Sequence, residues 1–151
     1  MLNLLCTYID ERKNKMAKVI VLGGCGAVGS VAVKTLADQD IFSQIIIGDI
    51  NQQRADSIIS ESPHNKISFI NVNAENPQSI QNAISGCDLV VNCVGPFYKT
   101  VKTILKQVID AKIDYVDVCD DVDVTLEIFD WHEKAKNAGI TALIGMGSSP
   151  G

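Results

Sequence analysis

The run Gly24-Cys25-Gly26-Ala27-Val28-Gly29 places three glycines at the spacing Gly-x-Gly-x-x-Gly. An apolar run at 19–22 precedes it, and apolar residues at helical spacing follow over 27–38, so the loop joins a strand to a helix. In this context the first glycine permits a tight turn, the second lets a phosphate approach the backbone, and the third lets the helix pack closely on the strand. Free N–H groups and the helix dipole favour an anion there. The pattern predicts a site for the pyrophosphate of a dinucleotide.

A carboxylate follows the second predicted strand at the distance that such a site requires. Asp49 lies twenty residues after Gly29 and is followed by Ile50, which we expect to border the same site. The Asp49 carboxylate would accept hydrogen bonds from both adenosine ribose hydroxyls, worth roughly 1.5–3 kcal/mol, and would repel a 2′-phosphate. It therefore favours NAD over NADP. Arg54, one helical turn further on, could accommodate a 2′-phosphate, so NADP remains the second cofactor candidate.

Two further loops carry candidate contacts. Asn73 follows the third predicted strand, where a short polar side chain can meet the adenine edge. Asn92, Gly95 and Pro96 end the fourth, and we expect that loop to border the nicotinamide ribose. For Pro96 and the next residue, Phe97, a turn set by Gly-Pro is the alternative interpretation.

Catalytic residues are not assigned. Tyr98 and Lys102 match the Tyr-x-x-x-Lys pair of short-chain dehydrogenases, but they follow strand four, whereas that pair follows strand five. Asp120 and Asp121 have the features of a solvated turn. The two histidines, His64 and His132, have no evident partner in the sequence.

Metal and disulfide chemistry are both disfavoured. The five cysteines are odd in number and show no Cys-x-x-Cys pair, as expected of buried free thiols in a reducing cytoplasm. A formal net charge of −5 argues against nucleic-acid and anionic-membrane partners, and no apolar run is long enough to span a membrane.

The elements that must position these residues alternate regularly. Apolar runs predict six strands, at 19–22, 45–47, 67–72, 89–94, 115–118 and 140–144, and helices are predicted at 27–38, 51–60, 77–85, 99–111 and 123–138. Asn51 starts the second helix, Pro77 opens the third, and Gly139 closes the last. This alternation predicts an α/β Rossmann fold, a doubly wound parallel sheet with strand order 3-2-1-4-5-6.

The length of 151 residues fits one domain, with 46 % hydrophobic and 21 % charged residues. Residues 1–15 show no pattern that would dock on the sheet, and we expect a disordered extension there. The dinucleotide-binding domain is predicted to occupy residues 16–151.

The stretches 19–30, 88–97, 115–117 and 138–151 carry a family resemblance, in which Asn-x-x-Gly-Pro-Phe and the terminal Gly-x-x-Pro-Gly are the specific motifs. The chain resembles the N-terminal NAD(P)-binding domain of saccharopine dehydrogenase-like proteins, which include saccharopine reductases and carboxynorspermidine dehydrogenases. One departure is Lys112, near the place where family members often carry glycine before Tyr-Val-Asp.

The resemblance implies that Gly95, Pro96 and Phe97 line the dinucleotide site. It implies an oxidoreductase that transfers hydride at a C–N bond of an amino-acid or polyamine-type substrate. In the family a following substrate domain supplies the substrate contacts and the dimer, and we expect that this chain lacks it. The chain is therefore expected to be a fragment. The alternative is a free-standing NAD(H)-binding module without catalysis.

Overall fold

The computed structural model describes residues 16–147, and within that range it contains six strands and six helices. The predicted extension at 1–15 and the terminal Pro-Gly motif lie outside the described residues. The strands are β1 (Ala17–Leu22), β2 (Phe42–Asp49), β3 (Ile67–Asn71), β4 (Leu89–Asn92), β5 (Asp114–Asp117) and β6 (Ala142–Leu143). The helices are α1 (Ala27–Ala37), α2 (Gln52–Glu61), α3 (Pro77–Ile84), α4 (Phe97–Ala111), α5 (Val122–Phe129) and α6 (His132–Ala138).

All neighbouring strands are parallel, in the order β3-β2-β1-β4-β5-β6, which confirms the predicted topology. The connections run outward from β1 in opposite directions, so β1 and β4 flank the switch point. Their register pairs Leu22 with Asn92, which brings the loops after both strands to the same edge of the sheet. Ligands of open α/β sheets bind at that edge.

The central strands are apolar on both faces because helices cover the sheet on both sides. Val19 and Val21 face α1 and α2 in one core, whereas Ile20 and Leu22 face the remaining helices in a larger second core. All four side chains are fully buried. Because β1 is packed on both faces, its position in the sheet is fixed, and so is the start of the loop that follows it.

Helix ends follow the predicted capping residues. The Asn51 side chain accepts from Arg54 N–H and caps α2, and Pro77 occupies the first turn of α3 behind the cap Asn76. Gly139 ends α6 with φ +74°, in the left-handed region that favours glycine. Lys112 caps α4 with φ +57°, a strained conformation for a side chain with a Cβ.

The prediction of one helix over 123–138 is wrong. The structure has α5 and α6, separated at Asp130 and Trp131. Trp131 N–H donates to the Ile128 carbonyl, three residues back, which tightens the turn and ends α5. The Trp131 ring packs against the larger core, so its burial favours a break over a continuous helix. β6 is also shorter than predicted, at two residues.

Candidate functional site

A cleft of about 540 Å³ opens at the carboxyl ends of β1, β2 and β4, a volume typical of small-molecule sites. Four loops form its walls. The residues that line it come from the loop after β1 (Gly23, Gly26), the end of β2 (Asp49, Ile50), the loop after β3 (Asn73, Ala74, Glu75) and the loop after β4 (Val94, Gly95, Pro96). Six of the predicted contact residues are among them: Gly26, Asp49, Ile50, Asn73, Gly95 and Pro96.

The remaining residues of the glycine loop lie beside the cleft. Gly24 and Gly29 are buried, Cys25 is half-buried, and Ala27 and Val28 are exposed in the first turn of α1. The N-cap of α1 is Gly26, and no side chain within residues 16–147 caps the helix. The first turn of α1 therefore has no side-chain acceptor for its N–H groups, and it begins at Gly26, which lines the cleft; free N–H groups at a helix start favour an anion.

Gly29 and Gly26 are each required to be glycine for a different steric reason. A Cβ on Gly29 would lie 2.1 Å from the Gly23 carbonyl oxygen, so only glycine lets α1 approach the loop this closely. A Cβ on Gly26 would have one neighbour within 4 Å among the described residues, the Gly23 carbonyl oxygen at 3.3 Å. Gly26 thus leaves open space on the cleft side, which a side chain would partly fill.

The tight turn belongs to Gly23, which the sequence interpretation did not single out. Gly23 has φ +73°, and a Cβ there would lie 2.9 Å from the Cys93 carbonyl group. Gly24, to which the turn was assigned, instead packs against Val21 and Ile47, with Cβ distances of 3.0 and 3.1 Å. The pair Gly23-Gly24 was the available signal, because a glycine directly after a strand often adopts positive φ.

The Asp49 carboxylate is fixed by two backbone N–H groups. Its Oδ2 accepts from Cys25 N–H at 2.9 Å and its Oδ1 from Asn51 N–H at 3.0 Å. These bonds tie the end of β2 to the glycine loop and orient the carboxylate at the cleft wall. Each oxygen retains a lone pair for an additional donor, such as a ribose hydroxyl.

Cys25 is held in the same cluster. Its thiol donates to the Asn51 carbonyl at 3.3 Å. Burial and the neighbouring Asp49 carboxylate raise the pKa of the Cys25 thiol to about 11. At neutral pH the thiol is protonated and a poor nucleophile, which fits a bystander in the loop rather than a reactive cysteine.

The structure separates the predicted contacts around β4. Gly95 and Pro96 line the cleft, whereas Phe97 begins α4 and packs against the larger core. The Asn92 side chain was expected to border the nicotinamide ribose, but it is fully buried behind the cleft wall and is not available for direct contact with a ligand. Its position at the end of β4 was predicted correctly, but strand alternation turns the side chain inward.

Asn92 instead joins two other buried polar residues. Its Nδ2 donates to the Tyr115 hydroxyl at 2.9 Å, and that hydroxyl donates to Asp117 Oδ2 at 2.9 Å. Burial, followed by the Asp117 charge, raises the pKa of Tyr115 well above its usual value. The hydroxyl therefore remains a donor at any physiological pH.

The other polar candidates lie outside the residues that line the cleft. Lys102 pairs with Glu127 at 2.6 Å, and Tyr98 is exposed. His64 Nε2 lies 2.8 Å from Asp38 Oδ1, a partner 26 residues away that was not evident in the sequence. Asp121 accepts from Val124 N–H and caps α5.

Residues 16–147 contain no cluster of three or more metal-ligating side chains. Their four cysteines are free thiols. In the same range no helix is both long enough and apolar enough to span a membrane.

This sheet order, the glycine loop and the Asp49 carboxylate together define a Rossmann-type dinucleotide-binding domain. Residues 19–143 match the family model described as the saccharopine dehydrogenase NADP binding domain. Because the match covers more than half of the chain, the chain belongs to this family of NAD(P)-binding oxidoreductase domains. This confirms the resemblance drawn from the sequence.

Characterised relatives are longer than this chain. It is 28 % identical over 144 residues to carboxyaminopropylagmatine dehydrogenase of Synechocystis sp., covering 90 % of this chain and 35 % of that protein. It is 28 % identical over 149 residues to carboxynorspermidine synthase of Vibrio alginolyticus, covering 85 % of this chain and 36 % of that protein. The chain thus spans about a third of the length of these relatives.

Among solved structures, apo saccharopine dehydrogenase (L-Glu forming) from Saccharomyces cerevisiae superposes with a TM-score of 0.73 at 21 % identity. The superposition covers 89 % of this chain and 28 % of that one. At this identity the likeness supports the fold alone.

Proposed function

We propose that this chain is the cofactor domain of a saccharopine dehydrogenase-like oxidoreductase that transfers hydride at a C–N bond of an amino-acid or polyamine-type substrate. The observation that carries the proposal is the cleft at the switch point, which is lined by the bare backbone of Gly26 and by the Asp49 carboxylate, held against the glycine loop through Cys25 N–H. The names of the two relatives, a dehydrogenase and a synthase of carboxylated polyamine-type compounds, support the substrate class.

The described residues divide the work of binding. The first-turn N–H groups of α1 would hold the pyrophosphate, with Gly26 leaving the necessary space. Asp49 would bind the adenosine ribose, and Asn73 would lie beside the adenine. Gly95 and Pro96 would border the nicotinamide riboside. The nicotinamide ring supplies or accepts the hydride when bound, and the protein provides position and electrostatics.

We further propose that the domain prefers NAD(H) to NADP(H). The Asp49 carboxylate is oriented by two N–H donors and lines the cleft, where it would repel a 2′-phosphate. Arg54 opposes this preference. It lies in the first turn of α2, and its charge lowers the pKa of Cys25 against the larger effects that raise it, so it acts on the same cluster.

Titration of both reduced cofactors by fluorescence at fixed salt tests the preference. We expect NADH to bind more tightly than NADPH. Asp49→Ser should weaken NADH binding by about 10- to 150-fold, the loss of roughly 1.5–3 kcal/mol from charge-assisted bonds, and should narrow the difference between cofactors. Arg54→Gln serves as the matched control and should affect only NADPH. Tighter binding of NADPH to the unmodified chain would overturn the preference and assign the 2′-phosphate to Arg54.

We expect the chain alone to bind cofactor without turnover. Of the described residues that line the cleft, the titratable ones are Asp49, Glu75 and Cys93. Asp49 is engaged with backbone N–H groups, and burial raises the pKa of Cys93 to about 11, so neither suits proton transfer at neutral pH. Glu75 lies after β3, on the predicted adenosine side. We propose that the substrate-binding side chains and a homodimer interface belong to the part of the relatives that this chain does not match.

Following NADH absorbance with saccharopine and carboxynorspermidine tests this division. Steady turnover by the 151-residue chain would show that a complete active site lies within it and would contradict the proposed separation of cofactor and substrate binding.

A further inference from the structure

Three polar side chains lie buried behind the nicotinamide side of the cleft. Asn92 and Asp117 are fully buried, and Tyr115 is 1 % exposed. Hydrogen bonds of 2.9 Å join Asn92 to the Tyr115 hydroxyl and that hydroxyl to Asp117. We refer to these three residues as the Asn92–Tyr115–Asp117 network. No buried side-chain N or O atom within residues 16–147 lacks a hydrogen-bond partner, so every polar side-chain atom of the network has at least one.

The ends of the network hold loops rather than the strands themselves. Asn92 Oδ1 accepts from Val94 N–H at 3.0 Å, in the loop after β4. Asp117 Oδ1 accepts from Cys119 N–H at 3.1 Å and from Gly145 N–H at 2.8 Å, in the loops after β5 and β6. One chain of side-chain bonds therefore fixes the starts of three consecutive loops at the carboxyl edge of the sheet.

Apolar side chains at these three positions would stabilise the fold at least as well as the polar ones. Removing a carboxylate and an amide from water is costly even when each is hydrogen-bonded, and apolar replacements of similar shape are often neutral or stabilising. What such a network provides is a single arrangement of the groups it binds. Here one of those groups, Val94 N–H, begins the loop that contains Gly95 and Pro96, and all three residues line the cleft.

We propose that Asn92, Tyr115 and Asp117 are positioning residues, which set the loop after β4 for the nicotinamide riboside end of the dinucleotide without contacting the cofactor. This inference rests on the proposed function, because it assigns the β4 side of the cleft to the nicotinamide. The adenosine side depends on a separate set of bonds, those of Asp49 with Cys25 and Asn51. Perturbing the network should therefore affect one half of the cofactor and leave the other half unchanged.

Tyr115→Phe removes the central hydroxyl and keeps the ring that fills the core. Binding of NADH is compared with binding of ADP, which carries the adenosine and both phosphates but no nicotinamide riboside. In the 151-residue variant we expect the Kd for NADH to rise about five- to tenfold, the scale of one lost hydrogen bond. The Kd for ADP should change by less than about twofold. Ile104→Val, on the buried face of α4, is the control for general destabilisation and should leave the ratio of the two Kd values unchanged.

Asp117→Asn is the second variant, because its Oδ1 still accepts from Cys119 and Gly145 while its amide cannot accept the Tyr115 proton. We expect a smaller rise in the Kd for NADH than with Tyr115→Phe. Amide hydrogen exchange on the unmodified chain tests the same proposal and does not depend on whether a variant folds. NADH should slow amide hydrogen exchange at Val94, Cys119 and Gly145, and ADP should not.

The outcomes separate the two proposals. Failure of the unmodified chain to bind either ligand would overturn the proposed function itself. Binding of both, with equal changes for NADH and ADP in Tyr115→Phe or with no difference in exchange between the two ligands, would overturn only the positioning role.

Discussion

Replacing Gly29 by alanine should mainly reduce the stability of the fold, whereas replacing Gly26 by alanine should mainly reduce the affinity for the cofactor. At Gly29 the new Cβ would lie 2.1 Å from the Gly23 carbonyl oxygen, so α1 must move away from the loop by about 1 Å. Such overpacking costs about 1–3 kcal/mol, and the gain in helix propensity returns at most about 1 kcal/mol. We expect a net loss of about 1–2 kcal/mol, which lowers the melting temperature by roughly 2–8 °C in a domain of this size.

At Gly26 the backbone already suits alanine, with φ −70° and ψ 173°, and the added Cβ meets the Gly23 oxygen at 3.3 Å. Replacing glycine by alanine at an N-cap costs about 0.5–1 kcal/mol, so the fold should persist. The methyl group would instead occupy space needed by the pyrophosphate. Loss of one phosphate hydrogen bond, about 1.5–3 kcal/mol, corresponds to a 10- to 150-fold rise in Kd.

Thermal melts and NADH titrations on both variants, at one salt concentration, give the four numbers needed. The larger loss of stability should belong to Gly29→Ala and the larger loss of affinity to Gly26→Ala. A folded Gly26→Ala protein that binds NADH as tightly as the unmodified chain would refute the placement of the pyrophosphate on the glycine loop. An unchanged melting temperature for Gly29→Ala would refute the steric argument for α1.

Four other experiments test local features. Because the pKa of Cys25 is about 11 rather than 9.0, its alkylation by iodoacetamide at pH 8 should be about a hundredfold slower than that of a free thiol, as followed by peptide mapping. Folding favours the protonated Cys25 thiol, so the same pKa shift predicts that the free energy of unfolding falls as pH rises above 9. Urea titrations at pH 8 and pH 10 measure this free energy, and an equal or higher value at pH 10 would contradict the prediction. Lys112→Gly relieves a left-handed conformation and should raise the melting temperature by about 2–4 °C, whereas any decrease would contradict the strain. Asp121→Ala removes the side-chain cap of α5 and should cost about 1 kcal/mol of stability, which lowers the melting temperature by about 2–4 °C. Asp123→Ala, in the first turn of the same helix, is the control.

Most of the fold could be predicted because the central strands are apolar on both faces. The runs at Val19–Leu22 and 45–47 are too short and too uniformly apolar for surface helices, and the intervening helical periods leave a parallel sheet as the remaining architecture. The break before Trp131 could not be predicted, because residues 123–138 retain a helical pattern and only tertiary burial of the indole favours the turn. Lys112 shows the same limit, since the structure requires a left-handed residue there and the sequence supplies one without the usual glycine signal.

The site was predictable where backbone dictates function. Gly26, Asp49 and Gly95 follow strands at the carboxyl edge, and topology alone brings such positions together. Side-chain direction was not predictable at the same edge. Asn92 and Gly95 are three residues apart, yet one is buried and the other lines the cleft. The network that buries Asn92 joins β4 to β5, and a contact across 23 residues leaves no local signal.

The two edges of the sheet differ in their capacity to recruit another chain. β6 offers two residues, too few to template a new strand. β3 offers five, Ile-Ser-Phe-Ile-Asn, without a charge or a proline along its length. Solubility therefore depends on the β3 edge more than on the β6 edge, and misassociation by strand addition should begin at Ile67–Asn71. A lysine introduced into that strand on its solvent side would act as a gatekeeper against aggregation.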